Sequence, residues 1–90
     1  TVAIFGLGDQ IGYDEYFVDG IGILAKVILG NGGEIIGNWP RKEYSFAESK
    51  ALVNEGYFYG LPIDQDNEDE LTLPRLEKWV EQLKNEITND

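Results

Sequence analysis

Two glycines flank Leu7 in Gly6-Leu7-Gly8, directly after the apolar run Thr1-Val2-Ala3-Ile4-Phe5, and Asp9-Gln10-Ile11-Gly12-Tyr13 follow. These residue types suit recognition of a flat ligand with a polar edge. Glycine lets a ligand approach backbone N–H groups closely, an acid sits in the same turn, and Tyr13 is able to lie over a ring. An ordinary strand-to-helix turn with a surface tyrosine is the alternative reading. Spacing excludes two other loops. The third glycine of a dinucleotide fingerprint would fall on Ile11, with Gly12 one residue late, and the Lys-Ser or Lys-Thr pair of a phosphate-cradling loop is missing.

Cysteine, histidine and methionine are absent. That removes disulfides, thiolate nucleophiles, imidazole bases and most transition-metal ligand sets. Catalysis here would rest on carboxylates, Lys, Tyr or a bound cofactor. Asp64, Asp66, Glu68 and Glu70 alternate as calcium ligands do in an EF-hand, yet Asp69 holds the required glycine position and Arg75 the bidentate glutamate position. No metal site is assigned. A solvated acidic loop over 64–70, with one functional Asp, is the stronger reading. Trp39 and Trp79 read as packing residues, the first beside Pro40 at a strand end and the second on a helical apolar stripe.

The elements that must position these residues follow from pattern. Val2 to Phe5 is apolar without alternation, which predicts a strand buried on both faces with a hydrogen-bonded neighbour on each edge. A helix is expected from Asp14 or Glu15 to about Leu29, with Phe17, Ile21, Leu24 and Ile28 as its apolar stripe. Gly20 and Gly22 weaken it and suit close approach to the sheet; Asn31-Gly32-Gly33 ends it. Glu34 to Trp39 reads as the next strand, parallel to the first, and Pro40 should stop its ladder. Residues 41–56 are irregular, anchored by Tyr44, Phe46, Ala51, Leu52 and Val53, and Tyr57 to Ile63 resumes strand character. The last helix should start with Thr72 as N-cap and Pro74 in its first turn, burying Leu76, Trp79, Val80, Leu83 and Ile87.

Ninety residues make one small α/β domain at most, and 42% are hydrophobic against 27% charged. No apolar run is long enough to span a bilayer, and no signal-peptide pattern is present. The net charge of −10 repels nucleic acid and anionic membranes and favours a basic protein partner, most strongly at low salt. The lack of cysteine suits a cytoplasmic protein.

Taken in order, Gly6-Leu7-Gly8-Asp9-Gln10 with Tyr13, Phe17-x-Asp19, Gly37-Asn38-Trp39-Pro40, Tyr44-Ser45-Phe46-Ala47-Glu48-Ser49-Lys50, Gly60-Leu61-Pro62-Ile63-Asp64-Gln65-Asp66-Asn67 and Leu71-Thr72 before Glu77-Lys78-Trp79-Val80 resemble the flavodoxins. The stretch interrupting the last strand is similar to the insert of their long-chain group. The resemblance implies a doubly wound, flavodoxin-like parallel sheet of order 2-1-3-4-5 holding FMN at the carboxyl ends of its strands. The present chain would correspond to the fourth strand, its helix, the interrupted fifth strand and the last helix. It would thus be a single partial domain over 1–90, and the amino-terminal half with the phosphate loop would lie outside it. Carried over by position, Tyr13 stacks on the flavin, and the backbone of Gly8 and Asp9 meets its N1/O2 edge. The backbone of Tyr16 and Val18 bonds N3 and O2, Asp66 lies near the ribityl chain, and Leu7 and Phe17 complete the contacting set. The implied function is a low-potential carrier of single electrons, not an enzyme, exchanging them with basic surfaces of a reductase and an acceptor. A flavin-free binding module of the same fold, or a domain of a larger reductase, are the alternatives. By itself the chain would need its missing half or self-association to cover the first strand.

Overall fold

Val2–Ala3 (β1) and Phe5–Leu7 (β2) follow one another with only Ile4 between them, and two different partners share them. The computed structural model describes residues 1–12, 16–46 and 48–88. β1 pairs in parallel with Ile35–Ile36 (β3), and β2 pairs in parallel with Leu61–Ile63 (β6). Val2 N donates to Glu34 O at 2.8 Å, Leu61 N to Ile4 O at 3.0 Å and Gly8 N to Ile63 O at 2.9 Å. Alternate residues turn their backbone groups to the same edge of a strand, so all three bonds leave one edge. Among the described residues the opposite edge pairs with nothing, in contrast to the expected neighbour on each side.

Between β3 and β6 the chain leaves the sheet. Gly37 takes φ +83°, a conformation costly for residues with a Cβ, and its carbonyl accepts Trp79 Nε1 at 2.8 Å. Trp39–Pro40 (β4) and Tyr57–Phe58 (β5) then pair antiparallel, followed by the bond from Arg41 N to Gly56 O at 3.0 Å. The expected strand over Glu34 to Trp39 is therefore two strands with different partners. Pro40 does not stop the ladder; it sits within a two-stranded ribbon, where a missing N–H is tolerated. Tyr57 to Ile63 likewise divides at Tyr59-Gly60, where the chain rejoins the sheet.

Helix α1 runs Asp19–Gly30, later than expected, because Val18 at φ 47° breaks helical geometry just before it. Ile21, Gly22 and Ala25 form its buried face, while Leu24 is 47% exposed. The stripe is thus rotated from the predicted one. Gly22 approaches the insert rather than the sheet: a Cβ there would lie 2.0 Å from Lys50 O. Helix α2 spans Gln65–Thr88 but is kinked at Glu68 (φ −138°, ψ 43°), so the expected acidic loop over 64–70 is a short helical turn joined to the main helix across a non-helical residue. Its cap is Asp64, whose Oδ1 accepts Asn67 N at 3.0 Å. Thr72 and Pro74 stand inside the helix. Acids in its first turn are favoured by the exposed N–H groups there.

Two cores lie on opposite faces of the sheet. Ile4, Phe17, Val18, Ile21, Ala25, Tyr44, Ala51 and Phe58 pack together on the α1 side. Phe58 meets Phe17, Tyr44 and Phe46 at ring-centroid distances of 6.0, 5.3 and 5.5 Å. The insert is thereby part of the core, although the Val53 side chain is exposed and its N–H, donating to Tyr57 O at 2.9 Å, ties it down instead. Leu61, Ile63 and Trp79 pack on the α2 side, joined by Ala3, Leu76 and Leu83. Both tryptophans pack as expected; Val80 and Ile87 are exposed instead of buried. Arg75, unexpected in the interior, is 4% exposed.

Candidate functional site

The turn after β2 is held by carboxylates. Asp9 Oδ1 accepts Ile11 N at 3.0 Å, Gly12 N at 2.7 Å and Asn67 Nδ2 at 2.7 Å. Buried Asp64 accepts Gln10 N at 3.0 Å on Oδ2, and Asn67 Nδ2 lies 2.9 Å from the same oxygen. One amide, Asn67, therefore bridges two acids that would otherwise repel. The Gly12 N–H first, then Asn67, hold the Asp9 carboxyl below its ordinary value of 3.8. For Asp64 burial pushes upward, but the Asn67 side chain and the N–H groups of Gln10 and Asn67 outweigh it and leave it below 3.8. Both groups are anionic at neutral pH.

Beside this turn lies a cleft of about 280 Å³ lined by Leu7, Gly8, Asp9, Tyr16, Phe17, Val18, Asp19 and Gly20. It opens at the carboxyl end of β2 and the start of α1, the place where α/β sheets receive ligands. The αL conformation of Val18 makes its far wall. Tyr16 O accepts Asp19 N at 3.1 Å and Val18 O accepts Ile21 N at 2.9 Å, which fixes that wall to the first turn of α1. Phe17 O accepts the Ser49 hydroxyl, and Lys50 N donates to Asp19 Oδ1 at 2.7 Å, so the insert buttresses it from behind. Gly8 packs on Phe17 and Val18.

Leu7, Gly8, Asp9, Tyr16, Phe17 and Val18 are thus brought together around one cleft. Tyr13 lies outside the described residues. Asp66 does not join the group: it is exposed in the first turn of α2, and the acid tied to the turn is Asp64. Gln10, Asp64 and Asn67 stand in the quoted motifs but were given no role in the turn. The signal for Asp64 was present in its position immediately after a buried strand and three residues before Asn67, the spacing of a helix cap.

No family model matches the chain. Individual relatives do. Flavodoxin 1 of Escherichia coli (strain K12) is 46% identical over 89 residues, covering 99% of this chain and 51% of the relative. The chain is a homologue of the flavodoxins. A flavodoxin of Haemophilus influenzae is 48% identical over 86 residues, covering 96% of this chain and 49% of its own length. The crystal structure of Fusobacterium nucleatum flavodoxin bound to flavin mononucleotide superimposes with a TM-score of 0.88 at 32% identity, over 94% of this chain and 50% of that one. The fold is accordingly the corresponding part of a flavodoxin-like α/β sheet. The chain spans about half the length of the curated relatives it matches. Among the described residues no helix is long and apolar enough to cross a membrane.

Proposed function

We propose that residues 1–90 are a partial flavodoxin domain, the carboxyl-terminal half of an FMN-dependent electron carrier, and supply the wall that faces the flavin ring. The cleft where Leu7, Gly8 and Asp9 meet Tyr16, Phe17 and Val18 carries this reading. Its makeup fits the group. A flat heteroaromatic ring needs apolar surface beside it, which Leu7 and Tyr16 offer at 70% and 66% exposure, and backbone polar groups at its rim, which the Gly8–Asp9 turn offers. FMN, when bound, would accept and release electrons at that ring.

The chain's own residues would orient the ring and set its electrostatic surroundings. Tyr13 would stack on it, the backbone of Tyr16 and Val18 would bond its polar edge, and Asp66 would lie toward the ribityl chain. Asp9 and Asp64 keep negative charge beside the turn, which disfavours added electrons and lowers the potential. The protein transforms no substrate, so it is a carrier and not an enzyme. A net charge of −10 suits docking to basic faces of a cytoplasmic reductase and acceptor, with association slowing as salt rises.

Titrating the full-length protein with FMN while following flavin fluorescence tests the reading. Stoichiometric quenching at micromolar protein is expected. Fluorescence that stays unquenched would remove FMN from the proposal and leave a flavin-free module of the same fold.

A further inference from the structure

Gln10 is 4% exposed, and three of its polar groups are each engaged by a different residue. Its N–H donates to Asp64 Oδ2 at 3.0 Å, its Nε2 donates to Glu68 Oε1, and its Oε1 accepts Ser45 N at 2.5 Å. Glu68 Oε1 also receives Arg75 Nη1 at 3.1 Å. The Arg75 guanidinium in turn lies 4.2 Å from the Tyr44 ring centroid, and Tyr44 Oη donates to Pro62 O at 2.7 Å. Pro62 precedes Asp64 by two residues, so the contacts close a circuit through the turn, the insert, β6 and the start of α2.

We propose that Gln10 is a positioning residue through which the insert and α2 together fix the turn beside the cleft, so that the turn is ordered before FMN arrives. The proposal rests on the FMN reading above and gives the insert a bracing role in it. Asp9 staples the turn only to itself and to Asn67 of α2. Gln10 alone among these residues also reaches the insert. Its chemistry is specific: the position needs a donor toward the Glu68 carboxylate and an acceptor toward the Ser45 N–H, and a neutral amide supplies both. A turn held in place beforehand spares the ligand the cost of ordering it.

The test uses the full-length protein and the variants Q10E, E68Q and Q10E/E68Q, with Q10A as a variant that adds no charge. Q10E sets two carboxylates against each other and should weaken FMN binding about tenfold, the scale of one charge-assisted hydrogen bond. In the double variant the Gln at 68 donates to the Glu at 10, reversing the bond, and affinity should return to within about threefold of the parent. Amide exchange at Ile11 and Gly12 in FMN-free protein should quicken in Q10A and Q10E by about the same tenfold factor, while amides of α1 keep their rates. Exchange at 11 and 12 that ignores these substitutions, or singles and double that simply add, would overturn the brace. A parent protein that binds no FMN would defeat the functional reading instead, and the exchange measurements would still decide the role of Gln10.

Discussion

At the scale of single residues, the turn after β2 is organised by charge that is fully hydrogen-bonded. Asp9 and Asp64 are depressed below 3.8, so the stability they contribute is complete above that value and is lost as pH falls through their lower folded values. Carboxyl-carbon NMR titration should therefore give midpoints under 3.8 for both, and the Ile11 and Gly12 amide signals should move with Asp9. A midpoint at or above 3.8 for either acid would contradict the bonding described. Tyr13→Ala in the full-length protein should weaken FMN binding by roughly 1–3 kcal/mol, by analogy with stacking of bases on aromatics. An unchanged dissociation constant would show that Tyr13 does not stack. Residue types pointed to the Gly8–Asp9 turn, whereas Tyr16, Phe17 and Val18 entered through the resemblance to the flavodoxins. Asp64 and Asn67 were hidden because their partners lie more than fifty residues away, as in the bond from Asn67 to Asp9.

Among the elements, two of the glycines of α1 have opposite consequences. A Cβ on Gly22 would meet Lys50 O at 2.0 Å, backbone that has no easy way to yield, whereas one on Gly20 meets nothing within 4 Å. Gly22→Ala should destabilise the protein by about 1–3 kcal/mol through overpacking, despite alanine's better helix propensity. Gly20→Ala should be neutral or stabilise by up to about 1 kcal/mol. Denaturant midpoints compare the two, and equal effects would mean that α1 does not press on the insert. Periodicity gave the existence of both helices and the parallel pairing of the opening strand. It did not give their ends. Val18 in a left-handed conformation delays α1, and Asp64 caps a short helical turn that precedes the main part of α2 across the kink at Glu68. The division of the last strand into β3 and β6 came from the resemblance to the long-chain group and not from periodicity, because Gly37 and Gly60 bend the chain without breaking its apolar character.

For the molecule as a whole, the open edge of β1 and β2 dominates. Val2, Phe5 and Leu7 are 37%, 60% and 70% exposed along it, and Ile23 and Val27 of α1 are each 56% exposed. An apolar strand edge that pairs with nothing among the described residues is a template for another chain. The isolated ninety-residue chain should accordingly self-associate or fold with little stability, and sedimentation velocity would show it. A well-folded monomer would mean that the edge is protected by some other means. The net charge of −10 opposes such association, so higher salt should promote it.

Sequence by itself determined the α/β class, the glycine-rich turn after the opening strand, the exclusion of thiol and imidazole chemistry and the acidic balance. These depend on residue type and short spacing, which chain order preserves. Tertiary structure decided which acid serves the turn, how the insert enters the core, and where Arg75 and Gln10 find their partners. Each of those outcomes is a pairing between segments distant along the chain, and only the packed sheet brings them within hydrogen-bonding range.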